Sequence, residues 1–154
     1  MIQKTQEKNI YLDTNIFIYL LEGFSEYASN LAKIFELIDS RKLKAYTSEL
    51  TLAEVLTKPI ADDNQNLQKN YKNILSSSDV LYVAPISRDI LINAAHLRAK
   101  SLLNNNNIRL PDAIHVATAQ MCQCDIFLTN DQKLRSIIAM DVIFISEIAK
   151  SFSL

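Results

Sequence analysis

The chain contains little glycine, proline or cysteine, and each shortage excludes a class of protein. Its 154 residues include one Gly and three Pro, which excludes collagenous, low-complexity and linker-rich organisation. The two cysteines, Cys122 and Cys124, are separated by a single residue and have no second pair. They therefore predict neither a disulfide framework nor a structural zinc site. The length fits one domain, which can bury enough surface to fold without such cross-links.

Long apolar segments are also missing. No apolar run approaches the ~18 residues that a membrane helix needs, and residues 1–8 lack the apolar core of a signal peptide. We therefore predict a polar tail over 1–8 and one domain over 9–150. We expect a cytoplasmic protein with reduced thiols and no membrane partner.

The sequence has no excess of positive charge. The formal net charge is −1, so the global basic character that is typical of nucleic-acid-binding proteins is absent. An RNA partner would have to be bound through a local basic patch or through a metal ion. Basic residues that could contact phosphate, with solvated surface as the alternative for each, are Lys58, Arg98, Lys100, Arg109, Lys133 and Arg135.

The apolar residues predict an alternation of strands and helices. The predicted strands are 9–12, 44–47, 80–83, 125–129 and 142–145. The predicted helices are 16–21, 27–38, a short one that carries Glu54 and ends near Pro59, 67–75, 87–103, 111–121 and 131–139. Gly23 is placed to end the first helix, and the four asparagines 104–107 predict an exposed loop. Alternating strands and helices indicate an α/β fold with parallel strands and helical crossovers.

Four acidic residues are placed to meet at one edge of this sheet. Asp13, Glu54 and Asp131 come at or shortly after the ends of predicted strands, where open parallel sheets form their ligand crevice. Asp112 lies in the first turn of a helix, directly after Pro111, where the helix dipole favours a negative charge.

Each of these acids also has a purely structural interpretation. Asp13 and Asp131 could be helix N-caps, Glu54 could complete a capping box with Thr51, and Asp112 could simply complement the helix dipole. Four caps that happen to surround one crevice are much less expected than one functional site.

The chemistry of four carboxylates indicates a divalent metal ion. Carboxylates that share a crevice repel one another, and some would hold protons without a cation. Mg²⁺ prefers hard oxygen ligands, and it can acidify water, withdraw charge from a phosphate and orient the reacting groups. The cluster of acids therefore predicts a site for a divalent metal ion.

The segments that carry the acids resemble the PIN-domain ribonucleases, particularly the VapC-type toxins. The matching stretches are residues 11–15 (YLDTN), 52–55 (LAEV), 110–119 (LPDAIHVATA) and 128–131 (LTND). The resemblance implies a five-stranded parallel sheet of order 3-2-1-4-5 flanked by helices. It also implies an Mg²⁺- or Mn²⁺-dependent ribonuclease acting on single-stranded RNA, an antitoxin protein as partner and pairing of the chain with itself. By the same resemblance, Asp13, Glu54, Asp112 and Asp131 are the catalytic metal ligands, with Asn15 and Thr129 as supporting polar residues.

Two other functions remain open on the sequence alone. Asp13 could be the nucleophile of a phosphotransfer enzyme, although a haloacid-dehalogenase-like enzyme needs an Asp where this chain has Asn15, and a receiver-like module would not need Glu54. The domain could also bind RNA or protein without cutting. His115, one helical turn after Asp112, is interpreted as a polar core residue that could alternatively orient Asp112 or a phosphate.

Overall fold

The computed structural model describes residues 6–148, which form one parallel sheet with helices on both faces. Its five strands are β1 (Lys8–Leu12), β2 (Leu43–Ser48), β3 (Leu81–Ala84), β4 (Ile126–Thr129) and β5 (Asp141–Phe144). Their spatial order is β3-β2-β1-β4-β5 and every neighbouring pair is parallel. The predicted α/β class and the 3-2-1-4-5 order are confirmed.

Within residues 6–148, six α-helices connect and cover the strands. They are α1 (Thr14–Glu22), α2 (Ala28–Asp39), α3 (Leu50–Ala61), α4 (Gln65–Ile74), α5 (Arg88–Leu103) and α6 (Leu110–Met121). Because side chains alternate along a strand, β1 buries Ile10 and Leu12 in one cluster with α1 and α2, and Tyr11 in another with Val116 of α6. Apolar residues fill both faces of the central strand, as in sheets covered by helices on each side.

The central strand β1 brings distant segments to one edge. Its Leu12 is opposite Leu128 of β4, and its Tyr11 is opposite Tyr46 of β2. The carboxyl ends of β1 and β4 are therefore adjacent, and the residues that follow them face the same crevice.

The predicted helix over 131–139 is wrong. The chain forms only a 3₁₀ turn at Gln132–Leu134 and then runs irregularly into β5. Leu134 is buried, and the consecutive residues Ile137 and Ile138 both pack against its cluster. The packing of these side chains in the core takes precedence over the helical pattern in the sequence.

The ends of two helices also differ from their predicted positions. The helix predicted over 16–21 begins at Thr14, capped by Asp13, and ends at Gly23, whose φ of 77° is the left-handed conformation expected of a C-terminal stop. Helix α3 continues to Ala61, so Pro59 lies inside its last turn instead of ending it. Backbone bonds from Asp62 to Lys58 and from Asn64 to Pro59 close that turn.

The predicted tail over 1–8 and domain over 9–150 stay predictions. Residues 1–5 of the predicted tail and residues 149–150 of the predicted domain lie outside the described residues, and Lys8 already belongs to β1. Within residues 6–148, no helix combines the length and apolar character that crossing a membrane requires. The asparagines 104–107 lie outside helices and strands, as predicted.

Candidate active site

Asp13 is held rigidly at the end of β1. Its Oδ1 accepts a hydrogen bond of 2.9 Å from the backbone N–H of Thr14, and its Oδ2 accepts one of 2.7 Å from the hydroxyl of Thr129. Asp13 is therefore an N-cap of α1, as its structural interpretation predicted. The residue is only 7% exposed, which is rare for a carboxylate.

The surroundings of Asp13 disfavour its charge. Burial raises its pKa, and the charge of Asp112 raises it further, while the charge of His115 and the hydrogen bonds from Thr129 and Thr14 offset only part of the increase. A cation beside Asp13 would reverse this balance, because an opposite charge stabilises the ionised form.

Thr129 connects two of the predicted acids. Its hydroxyl donates to Asp13 and accepts a 3.0 Å hydrogen bond from the backbone N–H of Asp131. The carboxylate of Asp131 in turn accepts from the backbone N–H of Lys133 at 3.0 Å, so it caps the 3₁₀ turn. The buried Thr129 hydroxyl thus fixes the positions of both Asp13 and Asp131.

Glu54 takes part in a hydrogen-bond network around His115. Its Oε1 accepts 2.8 Å from the hydroxyl of Thr14 and lies 2.5 Å from Nε2 of His115. The capping-box interpretation of Glu54 is wrong, because α3 begins at Leu50 and Thr51 lies inside it. The Thr51 hydroxyl instead lies within hydrogen-bond distance of the hydroxyls of Thr47 and Thr14.

His115 is a core residue, as predicted, but its contact is with Glu54 and not with Asp112. It is 1% exposed, and its Nδ1 lies 2.7 Å from the hydroxyl of Tyr11. Its Nε2 is shared between Glu54 and the hydroxyl of Thr14, at 3.1 Å from the latter. Both ring nitrogens are therefore occupied, which fixes the orientation of the ring.

The charges of His115 and Glu54 stabilise each other. Burial alone would lower the pKa of His115, but the hydrogen bond to Glu54 and the charges of Asp13, Glu54 and Asp112 raise it. Burial alone would raise the pKa of Glu54, but the hydrogen bond and charge of His115 lower it, helped by Thr14 and Arg109. When His115 is protonated, the two groups form an ion pair in which His115 is buried and Glu54 is partly exposed.

Asp112 is bound by the arginine that directly precedes its helix. The guanidinium of Arg109 donates from its Nε to Oδ2 at 3.1 Å and from one terminal nitrogen to Oδ1 at 3.3 Å. The Asp112 side chain is 16% exposed, whereas that of Arg109 is 74% exposed. The hydrogen bonds and charge of Asp112 raise the pKa of Arg109, and the charges of Asp131 and Glu54 raise it further.

Asp112 and Asp131 line one cleft. Its volume is about 270 Å³, and its walls include Arg109 and Lys133 together with Asn106 and Asn107 of the asparagine loop. Acidic and basic groups therefore alternate around the opening. Such a surface can hold a cation against its acids and a polyanion against its bases.

The four acids meet at the predicted edge but do not form a tight cluster. Within residues 6–148, no group of three or more His, Cys, Asp or Glu side chains is close enough together to enclose a metal ion. Among side-chain atoms in the same part of the chain, the buried Oδ1 of Asn15 is left without a hydrogen-bond partner. An orphaned buried acceptor costs about 1–3 kcal/mol, and a bound ion with its waters would supply the missing donor.

Three contacts of this site could not be derived from the sequence. The spacing of Arg109 and Asp112 is compatible with an ion pair, but the bond depends on how α6 begins. The contacts of His115 with Tyr11, and of Thr14 with Glu54, cross between elements more than 35 residues apart in the chain. Only the strand order brings them together.

The sequence between residues 10 and 139 matches the family model described as PIN domain. The match covers most of the chain, including Asp13, Glu54, Asp112 and Asp131. A search of curated proteins finds no significant match.

Several solved structures share the fold at low sequence identity. VapBC2 from Rickettsia felis, bound to a promoter DNA fragment, matches with a TM-score of 0.72 and 17% identity over 88% of this chain and 98% of that chain. VapBC-1 from nontypeable Haemophilus influenzae matches with a TM-score of 0.70 and 14% identity over 90% of this chain and 98% of that chain. VapC20 from Mycobacterium tuberculosis, a sarcin-ricin loop cleaving toxin, matches with a TM-score of 0.59 and 18% identity over 77% of this chain and 86% of that chain.

Proposed function

The chain belongs to the PIN-domain family, and from this premise we propose that it is an endoribonuclease that cleaves single-stranded RNA with Mg²⁺ or Mn²⁺. The observation that carries the proposal is the meeting of four acids from separate segments at the carboxyl edge of β1 and β4. Asp13 is kept there although burial and Asp112 both disfavour its charge. A fold has little structural reason to retain that arrangement without a cation.

The donor set fits a hard divalent cation. Mg²⁺ is typically held by one or two carboxylates and keeps several waters, so it does not require three acids in mutual contact. We assign Asp13, Glu54, Asp112 and Asp131 as its ligands, directly or through water, with Asn15 and Thr129 as their polar supports. When bound, the ion would acidify water and withdraw charge from the phosphate.

The protein's own groups hold these ligands in place. The Thr129 hydroxyl and the Thr14 N–H fix Asp13, and His115 with the Thr14 hydroxyl fixes Glu54. Ligands fixed by such contacts lose little freedom when an ion or a transition state binds.

A cleavage assay tests the proposal. Purified protein should cut a labelled single-stranded RNA with Mg²⁺ or Mn²⁺ and leave 5′-phosphate and 3′-hydroxyl ends. Asp112→Asn should lower the rate by a factor of about a hundred or more, because it alters a metal ligand. Undiminished cleavage in excess EDTA, or products with 2′,3′-cyclic phosphate, would contradict the mechanism.

We further propose that the protein is the toxin of a toxin–antitoxin pair and associates with itself. Support comes from the structural neighbours, which include toxin–antitoxin complexes from Rickettsia felis and Klebsiella pneumoniae. Induced expression should then arrest growth, and Asp112→Ala should relieve the arrest at equal protein level. Harmless expression of active enzyme would argue against a toxin and leave an RNA-processing role.

A groove between α1 and α2 offers a surface for the antitoxin. The groove has a volume of about 350 Å³ and is mainly apolar. Its lining residues are Tyr19, Leu20, Gly23, Phe24, Ser25, Ala28, Leu31, Ala32 and Phe35. We assign it to an apolar segment of the antitoxin.

A further inference from the structure

Arg109 occupies the carboxylate of Asp112, one of the two acids that line the cleft. Both oxygens of Asp112 accept hydrogen bonds from its guanidinium, at 3.1 and 3.3 Å. The same guanidinium is influenced by the charges of Glu54 and Asp131. The Arg109 guanidinium therefore interacts with three of the four acids.

A divalent cation and Arg109 would compete for Asp112. The lone pairs that accept from a bidentate guanidinium are those through which a carboxylate binds a metal or its waters. The side chain is free to leave, since it is 74% exposed and precedes α6 without capping it. Its planar fork matches phosphate as well as it matches carboxylate.

We propose that Arg109 is a substrate-binding residue that moves from Asp112 to an RNA phosphate when the metal ion takes the carboxylate. This inference rests on the proposed metal-dependent ribonuclease. In the metal-free protein Arg109 neutralises the acids, and in the loaded protein it contacts the RNA backbone. Lys133 lines the same cleft as Arg109 and Asp131. An RNA phosphate bound there would therefore meet a second basic group besides Arg109.

The matched control is Arg41→Ala. Arg41 also pairs with an aspartate, Asp79, at 4.0 Å, and is 70% exposed. It precedes β2 as Asp79 precedes β3, so the pair lies at the amino-terminal edge of the sheet, away from the acids. The substitution removes the same charge by the same chemical change.

The first measurement is calorimetric titration with Mn²⁺ alone, without RNA. Arg109→Ala should bind Mn²⁺ about two- to fivefold more tightly than wild type, the factor that corresponds to losing an exposed ion pair as competitor. Arg41→Ala should bind it as wild type does. Equal affinities for the two variants would overturn the competition.

The second measurement is binding of a fluorescein-labelled single-stranded RNA by anisotropy, in EDTA and in Ca²⁺. With Ca²⁺, Arg109→Ala should bind RNA more weakly than Arg41→Ala. The slope of log affinity against log salt should be shallower by about 0.7, as expected for one lost phosphate contact. In EDTA this difference should shrink, because Arg109 is then held by Asp112.

The outcomes separate this inference from the proposed function. A wild type that binds no Mn²⁺ removes the proposed metal site, and the Arg109 inference with it. If wild type binds Mn²⁺ but Arg109→Ala lowers RNA affinity equally in EDTA and in Ca²⁺, the proposed movement of Arg109 is overturned and the metal site is not. Circular dichroism of each variant checks that a loss is not caused by unfolding.

Discussion

At the scale of single residues, His115 has a role that its position in the sequence does not reveal. Its ring joins Tyr11 of β1, Thr14 of α1 and Glu54 of α3. Because the pKa of His115 is raised and that of Glu54 is lowered, the ion pair exists over a wider pH range than either free group would allow.

The pair of His115 and Glu54 makes folding stability fall both when the pH rises and when it falls. A raised histidine pKa contributes stability below its unfolded value, near 6.5, that is lost as the pH rises through the folded value. A lowered glutamate pKa contributes stability above its unfolded value, near 4.5, that is lost as the pH falls. The stabilisation by the pair should therefore be greatest between about pH 4.5 and 6.5.

Thermal melts in EDTA across this pH range test the effect. The difference in melting temperature between wild type and His115→Gln should be greatest in the weakly acidic range and smaller on either side. The control is His96→Gln, since His96 is the other histidine and lies exposed on α5. A difference that does not vary with pH would show that His115 stabilises the fold by packing alone.

At the scale of helices and strands, the groove between α1 and α2 is open to a sharp test. Ala32→Glu places a charge on its exposed wall, where burial against an apolar antitoxin segment would be costly. We expect cleavage of RNA to be unchanged, because α2 contributes no residue to the acid site. Neutralisation by the antitoxin should be lost, both in growth rescue and in binding of the purified pair.

Ser29→Glu is the control for this charge. Ser29 is exposed on the same helix and does not line the groove. Antitoxin binding should survive this substitution. Loss of binding in both variants would indicate a general electrostatic effect, and loss in neither would place the antitoxin elsewhere.

Regular patterns in the sequence were enough to predict most elements. The strands could be predicted because apolar runs such as residues 9–12 are short and end in polar residues, and the strand order came from family resemblance. The segment 131–139 failed because its pattern suits a helix while Ile137 and Ile138 are needed together in the core. The four acids could be placed at the sheet edge. The partners of Glu54 could not, since they depend on side-chain directions between elements, and the bond of Asp112 to Arg109 could not, since it depends on how α6 begins.

At the scale of the whole molecule, the acids should make folding stability depend on metal. An acid whose folded pKa is raised, as for Asp13, is stabilising when protonated and destabilising when charged at neutral pH. A divalent ion that binds only the folded protein should add about 2.7 kcal/mol at a hundredfold excess over its dissociation constant. For a chain of this size, each kcal/mol of added stability raises the melting temperature by roughly 2–4 °C.

Asp13→Asn separates the charge of Asp13 from its capping role. Asn is an equally good N-cap: its amide oxygen can accept from the Thr14 N–H, while its amide nitrogen, in place of the second carboxylate oxygen, can donate to the Thr129 hydroxyl once that hydroxyl turns its own proton away. In EDTA at pH 7 the variant should melt at or above the wild-type temperature, and added Mn²⁺ should raise its melting temperature less. If the variant were strongly destabilised in EDTA and gained as much from Mn²⁺ as wild type, Asp13 would be a structural cap and not a ligand.

The bond between Thr129 and Asp13 has a consequence for biosynthesis. These residues are 116 positions apart, yet the strands that carry them are neighbours at the centre of the sheet. A ribosome that has made β1, β2 and β3 has produced Asp13, its neighbour Thr14 and Glu54, but not Thr129, which completes the hydrogen bonds of Asp13. Such long-range parallel pairing also forms slowly. A nascent chain therefore carries no assembled acid site until translation has passed β4, and for the toxin proposed above this delay would give an antitoxin already present in the cell time to bind it.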